Sequence, residues 1–490
     1  MFNLRSIKIF NKKPLVFTLL FLLTAILCHS QESQPADNGI TEQVFIIAGF
    51  EFDIKGRTRP DALIYNVEFK KGEVIQGKAN LDKYIREKTQ MLVNQRVLKD
   101  NAEISYTVGE RDASGAYPVT LTIRTEDSWN LIALPYPKYS SNTGFELIIK
   151  ARDYNFLGTM SPLRVDLGYQ YDEKGRSYFN IMLDSGIPFR AFNLDWHFNF
   201  DNYFDYRPDM EQPYFYENIT GISVELPLGP TTITTGFDES LIFNEENSDS
   251  RKRQYKDLFN ADLGDFQDGL YMSSNPYISW KIPTGIAVGY YGDLVYTPNV
   301  SAVFNHEFSR WPLDETRKGP FVSFGHKLGF GRVDWIGNFL KGIDVRIGNS
   351  YDYNFFNARN DLQPWSSNIS VAGKSHVTFD NIFGISARLM YRQWFFDHYS
   401  DSAGDVMRGI LDKDVFADYM VSVNLDLSMN FFTFNPSNWF NNQKLQLFNF
   451  DFHIGPFLDA AVYRNPEIEA AYGNADFTKK TCLFPPVWKQ

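Results

Sequence analysis

The sequence predicts a mainly β protein, a transmembrane antiparallel β-barrel preceded by one small α+β domain. Three observations carry the prediction. From Trp129 onward, segments of roughly ten residues alternate apolar and polar positions, with turns or long polar loops between them; this is the period of strands with one face in lipid and one in a polar lumen. The 490 residues include 44 Phe, 27 Tyr and 9 Trp, a load of rings that a barrel can place in lipid and in its interfacial girdles. Beyond the N-terminus, no apolar run approaches the ~20 residues of a membrane helix.

Taken in order, the chain opens with Arg5, Lys8, Lys12 and Lys13, then the apolar stretch Leu15 to Leu27, then Cys28-His29-Ser30. This reads as a secretory signal peptide over residues 1–30. Its removal takes four positive charges with it and lowers the formal charge from −11 to −15. Residues 31–43 are polar and read as a flexible leader. A compact α+β unit follows over 44–127. Val44 to Ile54 suits a strand, and Asp61 to Val67 a short helix with Thr58 as its N-cap and Pro60 in its first turn. Lys71-Gly72-Glu73 breaks that helix, and Lys78 to Val97 is a second helix with Leu81, Tyr84, Ile85 and Leu92 on one face. Ala102 to Val108 and Val119 to Ile123 alternate as two antiparallel strands.

Residues 128–490 form the barrel, with about fifteen candidate strands between Trp129 and Tyr463. Phe192, Leu194, Trp196, Phe198 and Phe200 alternate with Asn193, Asp195, His197, Asn199 and Asp201. Val421 to Met429 and Phe448 to Ile454 repeat the pattern. The stretches Asn244 to Gln267 and Phe395 to Lys413 are long and polar, as extracellular loops are.

An acidic balance argues against a nucleic-acid partner, and two cysteines, Cys28 and Cys482, exclude a disulfide framework. Catalytic patterns are weak: Asp195 and His197 share a lumen-side strand face where a Ser would complete a hydrolase site, but seven histidines among 59 acids supply such pairs by chance, and adjacent His306 and Glu307 point to opposite faces. No Gly-rich phosphate loop or paired CxxC occurs. The reading is a non-enzyme without a cofactor or metal.

The motifs add a family. Ile54-Lys55-Gly56-Arg57-Thr58-Arg59, the stretch Phe69 to Glu73 around Gly72, and the strand Pro118 to Glu126 resemble a POTRA domain. Asp153-Tyr154-Asn155-Phe156-Leu157-Gly158-Thr159 looks like the D-N-W-L-G-T turn after the second barrel strand of the outer-membrane assembly and translocation pore family, which includes BamA and TamA. Met407-Arg408-Gly409-Ile410 looks like that family's V-R-G-F/Y loop motif, and Phe457-Leu458-Asp459-Ala460-Ala461 its F-x-D-x-G motif, with Ala461 in place of Gly. The resemblance implies a sixteen-strand outer-membrane barrel, a periplasmic N-terminal domain, unfolded outer-membrane or secreted polypeptides as clients, and accessory lipoproteins as partners. It also implies that Arg408 reaches a carboxylate in the lumen. Strand parity turns Asp459 and Asp426 inward, giving the guanidinium two candidate partners. The alternative reading is a porin-like channel for small solutes.

Three departures from the family stand out. Only one POTRA-like unit fits before the barrel, whereas assembly factors of this family usually carry several. Thirteen candidate strands precede Arg408 where eleven are expected, so two are read as sub-segments of longer strands. Only two strands follow Arg408, and Pro485-Pro486 cannot lie in a central strand; the expectation is that closing strands are absent, by truncation or frameshift.

Overall fold

The computed structural model describes residues 43–464, except 114, 141–143, 172–174, 210, 248–251, 253–254, 257–259, 265–268, 314–316, 380–381, 396–405, 408–416 and 442–449. The segments read as signal peptide and most of the one read as leader, and the C-terminal residues on which the expectation about closing strands turns, lie outside these.

The N-terminal unit runs β1 (Val44–Lys55), α1 (Pro60–Val67), β2 (Val74–Gln76), α2 (Lys78–Asn94), β3 (Glu103–Val108) and β4 (Tyr117–Glu126). Its sheet has the order β2-β1-β4-β3, with β1 and β4 parallel. Ile47, Leu63, Leu81, Leu92, Val119, Leu121 and Ile123 are fully buried between helices and sheet, the two-layer solution for one-sided elements. Three details differ from the sequence reading. β2 is an additional strand, too short to show an alternation. α2 ends at Asn94, where Gln95 turns extended, rather than at Val97. Thr58 is not the helix cap: Arg59 holds that position without a side-chain bond, and the Thr58 hydroxyl is used elsewhere.

Among the described residues the second sheet has sixteen strands, antiparallel and in chain order from β5 (Leu131–Ser140) to β18 (Tyr419–Phe434), ending with β19 (Phe450–Ile454) and β20 (Phe457–Arg464). β19 and β20 pair with successive halves of β18 and behave as one strand broken at Gly455-Pro456. The thirteen strands from β5 to β17 (Phe383–Phe395) each have their own register. The expectation that two of them were sub-segments is therefore corrected; the strands are separate because each turn between them reverses the chain. Among the described residues no pairing joins β5 to β19 or β20.

Register fixes the two faces. Ile149, Leu167, Ile181 and Phe204 lie in one cross-strand row, and Ile149, Leu167 and Ile181 are exposed, as are Ile222, Phe237, Ile278, Phe324 and Ile347 further round. That apolar exterior suits hydrocarbon. The opposite face carries Arg152 with Asp166, and Arg164 with Asp184 at 3.0 Å. Strands such as β8 (Ser177–Ala191), β12 (Leu270–Ala287) and β14 (Phe321–Ile336) have 15, 18 and 16 residues, enough to cross ~30 Å of hydrocarbon when tilted.

Candidate functional site

The sequence motifs meet where the N-terminal unit joins the barrel. β6 (Gly144–Asp153) turns into β7 (Leu163–Tyr171) through Tyr154 to Pro162, and this turn is locked onto the β1–α1 connection. Asp127, just beyond β4, is the hub. Its carboxylate accepts the backbone N–H groups of Arg57 at 2.7 Å and Thr58 at 3.2 Å, the Thr58 hydroxyl at 2.6 Å and the Asn155 side-chain amide at 3.0 Å. The Asn155 amide also donates to Thr58 Oγ1 at 2.8 Å, while Asn155 Oδ1 accepts the Met160 N–H at 2.9 Å. Asn155 and Thr159 are fully buried. A buried amide must have its donors and acceptor satisfied, and here the partners come from three separate segments.

Two glycines permit the approach. At Gly158, with φ +73°, a Cβ would overlap the Arg57 carbonyl; at Gly56, with φ +145°, it would overlap the Asp127 carboxyl. Arg59 N–H donates to the Gly158 carbonyl at 2.9 Å. The Arg57 guanidinium adds a two-pronged bond to Asp153, at 2.9 and 3.3 Å, on the solvent side. Phe156 begins the short turn of helix and Leu157, with φ +54°, is exposed. Met160, also at positive φ, inserts into the core of the N-terminal unit. Gly72 stands apart: its N–H donates to Ile47 O at 2.8 Å in a turn with open space around it.

A second set of contacts, which no motif marked, ties α2 to the hairpin between β14 and β15 (Phe339–Asn354). The Asn94 side chain donates to Asp334 Oδ1 at 2.9 Å and accepts the Trp335 N–H at 3.0 Å. Gln90 donates to Trp335 O at 3.2 Å, and Arg96 lies 4.3 Å from the Trp335 ring centre. Asp334, only 3% exposed, is held by Arg332 at 3.1 and 3.2 Å and by the Tyr290 hydroxyl from the β12–β13 turn. Burial, with the bond to Asp334, pushes the Tyr290 phenol up to about 12.

The two contact sets also show how the sheet curves. Asn94 lies three residues before Val97, whose carbonyl accepts from Ser128, the neighbour of Asp127. Laid flat, the two barrel turns would be eight strand spacings apart, about 38 Å at ~4.8 Å each. One small unit reaches both because the sheet wraps.

The loop-lumen residues divide. Arg408 and Gly409 lie outside the described residues. Just before them, Val406 and Met407 are buried on the inward face with Met390, Met420 and Ala461. Asn424 donates to the Val406 carbonyl at 2.8 Å and to Asp459 Oδ1 at 2.9 Å. Asp459 is fully buried, and Asp426 faces inward opposite Phe457. Among the described residues, no group of three or more His, Cys, Asp or Glu could hold a metal.

No protein-family model and no curated protein matches the chain. Several solved structures are similar to it at low identity. CdiB from Acinetobacter baumannii is 11% identical over 94% of this chain and 86% of its own, with a TM-score of 0.40. BamA from Haemophilus ducreyi lacking POTRA domains 1–3 is 11% identical over 94% and 91%, with a TM-score of 0.33. The siderophore receptor PirA from Pseudomonas aeruginosa is 9% identical over 74% and 78%, with a TM-score of 0.32.

Proposed function

We propose that the chain is an outer-membrane member of the POTRA-barrel family, inserting outer-membrane proteins or translocating polypeptides, with residues 44–127 as a periplasmic POTRA domain. The observation that carries the reading is the Asp127–Asn155 network, in which the two motif segments read as POTRA and barrel signatures interlock. A client docks by adding a strand to the edge of β3, where Val108 is 45% exposed and the only described partner strand is β4. Arg408 holds its loop in the lumen against Asp459 or Asp426, and Arg408→Ala yields a folded but less active protein.

A photo-crosslinker at Val108, presented with a purified urea-denatured outer-membrane protein, tests the docking step. The expected product joins β3 to the client, and folded client competes poorly. Equal labelling by folded and unfolded client sinks the docking model. The porin-like reading draws on the charged lumen face and predicts steady single-channel conductance without client insertion.

A further inference from the structure

The inward face is not uniformly charged. Register places Asp195, Asp201, Asp205, Glu217, Glu225 and Asp238 inward on β9 (Leu194–Tyr206), β10 (Tyr214–Leu228) and β11 (Thr231–Phe243). No Lys or Arg shares that face of these three strands; from their flanks, Arg190 on β8 lies 3.8 Å from Asp195 and Arg207, just past β9, pairs with Asp205 at 2.7 Å. Further round the sheet, on β14, β15, β16 (Trp365–Phe379) and β17, the inward positions hold Lys327, Arg346, Lys374, Arg388 and Arg392. Only two acids accompany them: Asp344, paired with Arg346 at 2.9 Å, and Asp352, which accepts from Ser323 and Ser350.

The packing keeps the acids pointed into the lumen. Asn199, Gly221 and Asp238 occupy one cross-strand row, and the Asp238 carboxylate lies over Gly221, where any Cβ would meet it. On the other wall Ser370 sits directly beside Arg392, with Gly348 on its far side, where a Cβ would meet the Ser370 hydroxyl. Opposite signs on two separate walls set up a field across the lumen between them, and low-dielectric walls focus such a field.

We propose that the lumen is charge-sided, drawing cations to the β9–β11 wall and anions to the β14–β17 wall, and so orienting occupants that carry both charges. The inference holds whether the barrel inserts proteins or conducts solutes, and its test uses neither activity. Cys28 and Cys482 are replaced by Ser, and single cysteines are placed at Asn199→Cys or Ser370→Cys in the full chain. Folding of each variant is verified by heat-modifiable gel mobility. The readout is the rate ratio for a cationic over an anionic methanethiosulfonate reagent of similar size.

The expected ratio is at least ~10-fold higher at position 199 than at 370 at low ionic strength, because potentials of several kT separate the walls. The difference shrinks in ~1 M salt as the Debye length falls to ~3 Å. Asp201→Asn with Asp238→Asn lowers the ratio at 199 several-fold and leaves 370 unchanged. Equal ratios at the two positions overturn the proposal. So does an absence of reaction at both, which would mean that the walls do not face water.

Discussion

The two attachments of the N-terminal unit are built on different principles. The one at Asp127 and Asn155 is compact: a single carboxylate and a single buried amide collect donors from three segments, and two glycines let backbones touch. The one at Asp334 is spread over Gln90, Asn94, Arg96, Arg332 and Tyr290, whose side chains converge on one hairpin. Loss of one group in the compact network leaves several buried donors without partners, whereas the spread contacts fail one at a time. The comparison teaches that the first attachment defines where the unit sits and the second tunes how firmly.

The largest expected effect follows from removing the hub. Asp127→Ala strands the Thr58 hydroxyl proton and two backbone N–H groups and leaves the Asn155 amide only its bond to Thr58, at ~1–3 kcal/mol for each buried unsatisfied group and less than their sum after relaxation. A total of about 3–5 kcal/mol is expected. Hydrogen exchange at the β1–α1 junction should lose most of its protection; near-normal protection would break the distinction between the attachments. Asn155→Ala should cost about 2–3 kcal/mol by the same measure. A double-mutant cycle joining it to Asp127→Ala should then show coupling above ~1 kcal/mol.

At the second attachment, Asn94→Ala removes one bond to the buried Asp334, which keeps Arg332 and Tyr290, and one from the Trp335 N–H, and should cost about 1–2 kcal/mol. Spin labels on Lys83 and Lys341 should show a broadened distance distribution, with the Asp127 side still protected from exchange. Broadening no greater than in wild type would mean the second attachment does not hold the unit.

The smallest effect concerns pH. A hydrogen bond from Lys99 holds the Glu126 carboxyl below its usual range. Its contribution is complete above the free-carboxylate value of ~4.3 and is lost as pH falls through the lower folded value. Glu126→Gln should therefore reduce the loss of β3–β4 exchange protection between ~pH 5 and ~pH 3 relative to wild type. An unchanged acid loss would remove this ion pair from the account.

Much of this was legible because strands write their faces into a two-residue period. The Phe192 to Asp201 alternation, for example, assigns Asp195, Asn199 and Asp201 to the inward face that their register gives them. The Gly56–Arg59 and Asp153–Thr159 segments were visible as motifs, but their mutual contact was not, since nothing local in a sequence says which turns touch. Thr58 shows the cost: read as a helix cap, it instead closes the Asp127–Asn155 network. The Asp334 attachment left no trace, because lone Asn, Gln and Trp residues carry no pattern until folding brings them together. Met160 was equally silent, a single apolar residue in a turn that completes another unit's core.

The most direct test of the account is client insertion into lipid vesicles containing the purified full chain. A urea-denatured small outer-membrane barrel is added, and its folded, protease-protected form is followed on gels. The account predicts folding several-fold faster than in protein-free vesicles, with Asp127→Ala and Asn155→Ala returning the rate toward the protein-free value. Client folding no faster than in empty vesicles, alongside steady ion conductance by the same protein, would contradict it.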